Sequence, residues 1–206
     1  MKPISKQSSI TASLALIALL FGMNLAAAPE VGALAPDFSV VDTKGEIWTL
    51  DHLKGQPAIL EWTNHDCPYV RKHYDADNMQ RLQRKAADQE VVWLSVISSA
   101  PGKQGHVTPK QADELTASRD AAPTAVLLDE SGDMGRAYGA STTPHMFIID
   151  AEGKLIYMGG IDDRASTDLA DIEGATNYVD LVLAELAAKE PISVSVTRPY
   201  GCSVKY

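Results

Sequence analysis

Two short apolar runs with a helical segment between them constrain the fold of this 206-residue chain most strongly. The runs cover residues 58–63 and 91–97, and both are apolar enough to be strands buried on two faces. Between them, residues 68–89 predict a helix with apolar side chains among basic ones, although the apolar spacing is imperfect. A strand, a crossover helix and a second strand predict two parallel neighbours in one sheet.

The other elements predict a mixed sheet covered by helices. Further strands and helices are expected on both sides of the crossover, with turn residues between them. Strands are expected at residues 38–41, 46–50, 124–128, 145–150 and 154–158, and helices at residues 109–119, 133–138 and 176–189. We therefore expect one α/β domain over residues 29–206, with an N-terminal hairpin and a late hairpin that adds antiparallel strands.

Residues 1–28 have the pattern of an export signal. Lys2 and Lys6 come first, an apolar stretch covers residues 12–23, and three alanines follow at residues 26–28. The apolar stretch is short for a membrane span of about 20 residues, and no second candidate follows it. We expect an exported, periplasmic protein that leaves the membrane after signal cleavage; an uncleaved N-terminal anchor is the alternative. In an oxidising compartment, the two cysteines of the chain can persist as a disulfide.

The charge balance excludes one broad class of function. The chain carries 18 basic and 27 acidic side chains, which gives a formal net charge of -9. Binding to a nucleic-acid backbone rests on clustered lysine and arginine side chains, so we expect no nucleic-acid partner. A content of 45% hydrophobic residues is that of an ordinary globular protein and suffices for a core without disulfide staples.

Cys67 stands where the first buried strand gives way to the helix. Unpaired backbone N–H groups and the helix dipole favour an anion at such a junction. A cysteine there can titrate below its reference pKa of about 8.5 and act as a nucleophile near neutral pH. Pro68 supports this placement because proline is favoured at the first helical position. His65 can add a cation, and Asp66 opposes the thiolate unless it caps the helix. The alternative is that Cys67 is only a small buried hydrophobic residue.

A Thr143–Pro144 step precedes the apolar strand of the late hairpin. In this chain order, the step resembles the cis-proline loop that lies against the active-site cysteine in thioredoxin-like proteins. Residues 31–206 resemble the redoxin branch of the thioredoxin superfamily, in particular exported peroxiredoxin-like proteins related to alkyl hydroperoxide reductase and thiol-specific antioxidant. The motifs that carry the resemblance are Ala35-Pro36-Asp37-Phe38, Cys67-Pro68-Tyr69-Val70, Thr143-Pro144, Gly159-Gly160-Ile161-Asp162 and Tyr200-Gly201-Cys202-Ser203-Val204-Lys205-Tyr206.

The resemblance implies both a fold and a site. The implied fold is the thioredoxin fold with an N-terminal β-hairpin, a central mixed sheet flanked by helices, and a redoxin-type strand–helix insertion at residues 124–138. The implied nucleophile is Cys67, with Thr143 and a substrate-facing cis Pro144 against it.

The residues around Cys67 depart from two motifs of related families. Thioredoxins carry Cys-x-x-Cys at the helix N-terminus, whereas here Asn64 and Val70 stand three residues before and after Cys67. Typical peroxiredoxins have threonine or serine three residues before the cysteine and proline seven before it, where this chain has Asn64 and Leu60. We therefore expect peroxide reduction to be weakened, because the missing hydroxyl helps to orient peroxide in that family. Asn64 and His65 remain candidate site residues by position.

Cys202 is the other half of the functional hypothesis. We expect a thiol-disulfide oxidoreductase of peroxiredoxin-like type, in which Cys67 and Cys202 form a reversible disulfide. Cys67 attacks a substrate disulfide or an oxidant, and Cys202 resolves the resulting mixed disulfide or sulfenic acid. The expected partners are a disulfide-bearing protein or a peroxide, and a thiol reductant. We expect no cofactor and no resident metal.

Three alternatives stay open. The cysteine pair can be a static structural clamp, the chain can be a redox-inactive interaction domain, or His65, Cys67 and His145 can bind copper, which suits soft and imidazole ligands. Two residues outside the site are expected to be exposed: His73 on the helix surface, and Asp162 in an acidic loop that lacks the EF-hand spacing.

Overall fold

The computed structural model describes residues 28–206, so the export signal predicted for residues 1–28 lies outside the described residues except for its last position. The strands are β1 (Ser39–Val41), β2 (Ile47–Thr49), β3 (Ala58–Trp62), β4 (Val92–Ile97), β5 (Ala125–Leu128), β6 (Thr142–Thr143), β7 (His145–Ile149), β8 (Leu155–Gly159) and β9 (Cys202–Ser203). The helices are α1 (Pro68–Asp75), α2 (Asn78–Asp88), α3 (Pro109–Ser118), α4 (Asp133–Tyr138) and α5 (Tyr178–Ala188). None of the helices in this part of the chain is long and apolar enough to cross a membrane.

Five strands form a central mixed sheet in the order β5-β4-β3-β7-β8. β4 pairs in parallel with both β3 and β5, whereas β7 pairs antiparallel with β3 and β8. The parallel pair predicted from the two apolar runs is confirmed, and every residue of β3 is buried. The N-terminal hairpin is also confirmed, as a separate antiparallel pair of β1 and β2. This is the predicted thioredoxin fold, and β5 of the insertion forms one edge of the sheet.

The segment predicted as one helix over residues 68–89 consists of two helices. Asp77 separates α1 from α2 with φ 54°, a left-handed conformation that aspartate tolerates better than most residues. Val70 and Tyr74 share one apolar face of α1, but Met79 follows Tyr74 by five residues rather than three or four. The break corrects this phase shift, so that all three side chains enter the same buried cluster. The single-helix prediction is therefore wrong.

Side chains alternate across β3 and supply two buried layers. Trp62 faces one layer, where its ring lies 5.4 Å from Tyr138 and 5.1 Å from Phe147, centroid to centroid. Ile59 faces the other layer, which also holds apolar side chains of α1, α2 and α5. Cys67 belongs to this second layer. The fold thus places the candidate nucleophile between the sheet and the helices.

Residues 190–206, called the C-terminal tail below, follow α5 across the end of the sheet. The N–H of Thr197 donates to the carbonyl of Met158 in β8 at 3.1 Å. The tail then forms β9, which pairs antiparallel with β6. Near the C-terminus, the N–H of Ala100 donates to the carbonyl of Lys205 at 2.8 Å. The tail is therefore tied to the domain at several points along its length.

Candidate active site

Cys67 is the N-cap of α1, as the sequence predicts. Pro68 is the first helical residue, where its missing N–H costs no helical hydrogen bond. The N–H of Cys67 donates to the carbonyl of Asn64 at 3.0 Å, and its carbonyl accepts from Arg71 at 2.9 Å. A tight turn after β3 therefore fixes the backbone of Cys67 at the positive end of the helix dipole.

The Thr143–Pro144 loop lies directly against the thiol. The peptide bond between these two residues is cis, in agreement with the resemblance. The Sγ of Cys67 donates to the backbone carbonyl of Thr143 at 3.1 Å. Although 76 residues separate them in sequence, the two motifs meet at one point of the fold.

Cys202 reaches the same point from the C-terminal tail. In the β6–β9 pair, Cys202 lies opposite Thr143, and Ser203 lies opposite Thr142. The Thr143 hydroxyl donates to the backbone carbonyl of Cys202 at 3.5 Å. The Cys202 side chain packs against the cluster that contains Cys67, and both residues are free thiols in this structure. Strand pairing thus brings together two cysteines that are remote in sequence.

The surroundings push the pKa values of the two thiols in opposite directions. Burial raises the pKa of Cys67, but hydrogen bonds from the Cys202 thiol, the backbone of Val70 and Cys202, and Thr143 outweigh burial and leave the pKa below the ordinary value of a cysteine. Val70 acts from the first turn of α1, although the Cys67 side chain closes no cap hydrogen bond of normal geometry. Burial, the hydrogen bond with Cys67 and the charge of Cys67 raise the pKa of Cys202 to about 12. Cys67 is therefore the thiol that ionises first.

Two predicted site residues, Asn64 and His65, have hydrogen-bond and ion-pair partners other than the thiol of Cys67. The Asn64 side chain accepts from the N–H of Asp66 at 2.9 Å and donates to the carbonyl of Gln104 at 3.4 Å. The His65 Nε2 lies 3.4 Å from the Asp66 carboxylate. Among residues 28–206, no hydrogen bond joins either side chain to the sulfur of Cys67. Asn64 thus shapes the turn before Cys67 and ties it to the loop after β4.

The residues proposed as copper ligands do not converge. His145 is buried, its Nδ1 accepts from the N–H of Ser141 at 3.3 Å, and its ring lies 4.4 Å from that of Phe147. Burial lowers the pKa of His145 to about 4. The part of the chain that the structure describes contains no group of three or more histidine, cysteine, aspartate or glutamate side chains placed to hold a metal. His65, Cys67 and His145 are therefore not brought together as a set of three ligands in these residues.

A buried polar cluster beside the site went unpredicted. The Tyr200 hydroxyl donates to the Asp162 carboxylate and lies 3.1 Å from Nε2 of His73, whose Nδ1 is 2.9 Å from the Asn78 amide nitrogen. Burial and the nearby charge of Lys72 lower the pKa of His73 to about 3, so its ring is neutral. The expectation that His73 and Asp162 are exposed is wrong: they are 0% and 2% exposed, because Tyr200 of the tail packs over them.

The end of the tail has a second aromatic anchor. The Tyr206 hydroxyl donates to the carbonyl of Ala140 at 2.6 Å, and the Arg136 guanidinium lies 4.7 Å from the centre of its ring. The ring occupies space left by Gly132 and Gly135, where added Cβ atoms would lie 2.4 and 2.5 Å from Tyr206 atoms. Tyr200 and Tyr206 thus anchor the tail on either side of Cys202.

Comparisons with known proteins agree with this architecture. A family model described as AhpC/TSA family matches residues 31–158. The thiol-disulfide oxidoreductase ResA of Bacillus thuringiensis subsp. konkukian is 27% identical over 127 residues, which are 62% of this chain and 68% of that protein. The thioredoxin-like protein YneN of Bacillus subtilis is 25% identical over 146 residues, 70% of this chain and 81% of that protein.

A solved structure shows the same fold over most of the domain. The crystal structure of an uncharacterized conserved protein from Geobacillus kaustophilus aligns with a TM-score of 0.74 at 21% identity, over 86% of this chain and 92% of that one. The family match spans both Cys67 and the Thr143–Pro144 loop. The chain therefore belongs to the AhpC/TSA family and is a redoxin of the thioredoxin superfamily.

Proposed function

We propose that this protein is a thiol-disulfide oxidoreductase in which Cys67 is the nucleophile and Cys202 the resolving cysteine. The observation that carries the proposal is that both cysteines contact Thr143. The Cys67 thiol donates to the Thr143 carbonyl, and Cys202 lies opposite Thr143 in the β6–β9 pair. The pKa of Cys67 is lowered, and that of Cys202 is raised. A thiol-disulfide oxidoreductase is also what the name of the relative ResA describes.

The proposed reaction has two exchange steps. The Cys67 thiolate attacks one sulfur of a substrate disulfide, the substrate S–S bond breaks, and the leaving sulfur takes a proton. Cys202 then attacks the Cys67 sulfur of the mixed disulfide, which releases the second substrate thiol and forms a Cys67–Cys202 disulfide. The substrate gains two electrons and the cysteine pair loses them. A dithiol reductant returns the pair to its starting state by the reverse exchange.

The order of the two steps follows from the charge of Cys67. Part of the rise in the pKa of Cys202 comes from that charge and from the hydrogen bond that Cys202 donates to it. Once Cys67 is in a mixed disulfide, its negative charge is gone and this part of the rise is removed. Cys202 thus becomes easier to ionise at the point where the mechanism requires it to attack.

Disulfides suit this site better than peroxides. The residue three before Cys67 is Asn64, whose side chain is committed to Asp66 and Gln104 rather than to the space at the sulfur. A peroxidase needs a donor that orients the peroxide oxygens, so we propose disulfide exchange as the main activity.

We propose that the reaction takes place outside the cytoplasm. The support is the pattern of residues 1–28, with Lys2 and Lys6, an apolar stretch and three alanines. Expression in a bacterium followed by N-terminal sequencing of the periplasmic fraction is expected to give a chain that starts near Pro29. An intact Met1 on membrane-bound protein would contradict this placement.

A redox titration tests whether the cysteine pair turns over or serves as a clamp. The protein is equilibrated in thiol–disulfide buffers, and the Cys67–Cys202 disulfide is quantified by mass spectrometry after the remaining thiols are alkylated. We expect a midpoint potential above about -300 mV, the range of exchangeable disulfides. A midpoint well below that value, or no disulfide between the two residues, would contradict a catalytic pair.

A further inference from the structure

Cys67 is sealed from solvent by the C-terminal tail. Its exposure is 0%, whereas Cys202 is half-buried. Tyr200 packs edge-on against Tyr69 in the first turn of α1, at 5.9 Å between ring centres, and β9 covers the Thr143 side of the thiol. No protein disulfide can reach Cys67 in this arrangement, because exchange requires the attacking sulfur to line up with the disulfide.

The covering segment is held as a strand. β9 uses the backbone edge of β6 at Thr142 and Thr143, and the N–H of Val204 donates to the carbonyl of Ser141 at 3.1 Å. Each strand is two residues long and belongs to no larger sheet. A pair this short is only marginally stable by itself, so the fraction of molecules in which β9 is paired with β6 depends on the anchors at Tyr200 and Tyr206. Another extended chain can form the same backbone hydrogen bonds if the tail leaves.

The residue before the cysteine in this strand must be glycine. Gly201 has φ 128°, and a Cβ added there would lie 2.0 Å from the carbonyl oxygen of Thr143. That contact is far too short, and the obstacle is backbone rather than a flexible side chain. The edge of β6 therefore accepts a Gly-Cys sequence and rejects a larger residue in the same register.

From these observations we infer that the edge of β6 is a binding site for an extended peptide with a Gly-Cys step, and that the tail fills it as an internal substitute. The inference rests on the proposed function, since it names the substrate class of the same site. A substrate strand whose cysteine is held in a disulfide displaces β9 and presents that cysteine where Cys202 now lies. The Cys67 thiolate attacks its sulfur, the substrate S–S bond breaks, and the other substrate sulfur leaves as a thiol. When the tail pairs with β6 again, it displaces the backbone of the strand and brings Cys202 back beside Cys67. Cys202 then attacks the Cys67 sulfur of the mixed disulfide, and the strand leaves as a thiol.

Peptide probes on the full chain test this inference. In a Cys202→Ser variant, Cys67 is the only cysteine left. The probes are N-acetyl-Tyr-Gly-Cys-Ser-Val amide and its counterpart with alanine in place of glycine, each carrying thionitrobenzoate on its cysteine sulfur. Attack of Cys67 on that sulfur joins it to the peptide and releases coloured thionitrobenzoate. We expect the glycine peptide to react at least about tenfold faster, because the alanine peptide cannot pair in register.

Substitution of Gly201 tests the displacement of the tail. Gly201→Ala in the Cys202→Ser background is expected to lift β9 and to raise the rate with the glycine peptide at least about tenfold, as a larger fraction of molecules is open. Gly174→Ala is the matched control, because Gly174 is exposed, has an ordinary φ and has nothing within 4 Å of an added Cβ. Tyr206→Ala releases the far anchor and serves as a second opening variant if Gly201→Ala does not fold.

The outcomes separate the two proposals. Equal rates for both peptides, with no acceleration by Gly201→Ala or Tyr206→Ala, would overturn the strand-exchange inference while leaving Cys67 as a working nucleophile. A Cys67 that reacts with neither peptide in any folded variant would overturn the proposed function itself. Circular dichroism and thermal melting of each variant establish that it is folded.

Discussion

A Cys67→Ser variant is expected to lose disulfide exchange by at least about a thousandfold, because a serine hydroxyl is not ionised near neutral pH and cannot form a disulfide. A Cys202→Ser variant is expected to complete the first step only and to accumulate a mixed disulfide on Cys67. The measurement is mass spectrometry of each variant after reaction with a peptide disulfide, with wild-type protein as the reference for the full cycle. A mixed disulfide on Cys202 in the Cys67→Ser variant, formed as fast as in wild type, would reverse the assigned roles.

The rate of the first step, the attack by Cys67, is also expected to be lower at lower pH. This rate falls as the pH drops through the lowered pKa of Cys67, because protonation removes the nucleophile. A Cys202→Ala variant loses the thiol that donates to Cys67, so its rate inflection moves to higher pH than that of Cys202→Ser, which keeps a donor. The pH profile of thionitrobenzoate release in the two variants measures the difference. Identical inflections would show that the Cys202 thiol does not hold the pKa of Cys67 down.

Local patterns in the sequence were enough to predict the sheet and the position of Cys67 at the N-terminus of a helix. The apolar runs of β3 and β4 and the Cys67–Pro68 step are signals carried by adjacent residues, and the structure places them as expected. The meeting of Cys67 with Thr143 followed from the resemblance, because it depends on a contact between distant parts of the chain.

Several of the parts that sequence reasoning missed depend on contacts with the tail. A two-residue strand such as β9 has no periodicity to detect, and its position depends on backbone pairing with β6. His73 and Asp162 are polar residues in segments of mixed composition, and they are buried in contact with Tyr200, which comes from a distant part of the chain. The local turn also directs the Asn64 side chain towards Gln104, a contact that its position three residues before Cys67 does not reveal.

Substitution of Glu61 is the second change for which we expect a large effect, in this case on the stability of the fold. It is completely buried in β3, on the face that supports α1 and α2. Its carboxyl group accepts from Tyr74 at 2.9 Å, Gln83 at 3.4 Å, Trp93 at 2.9 Å and Ser95 at 2.9 Å. One side chain therefore satisfies polar groups from α1, α2 and β4. Those donors are buried away from water, so each of them needs an acceptor inside the protein, and the Glu61 carboxyl group is that acceptor.

A Glu61→Ala variant is expected to lower the free energy of unfolding by about 3–5 kcal/mol, because it leaves several buried donors unsatisfied around a new cavity. Glu61→Gln is expected to cost less, since it keeps one acceptor oxygen, but it brings an NH₂ group into a cluster already rich in donors. Glu114→Ala, on the exposed α3, is the control and is expected to change stability by no more than about 0.5 kcal/mol.

Urea unfolding of the three variants measures these differences in the free energy of unfolding. The comparison requires that the slope of this free energy against urea concentration, the m-value, matches that of wild type.

Tyr74 connects this cluster to the active site, because it lies in the helix that Cys67 caps. The Arg119 guanidinium covers Tyr74 at 4.1 Å from its ring centre. We therefore expect loss of the Glu61 carboxyl to loosen α1 against the sheet as well as to lower stability. A Glu61→Ala protein within about 1 kcal/mol of wild type would mean that the donors find other partners, and that the rigidity of α1 comes from apolar packing alone.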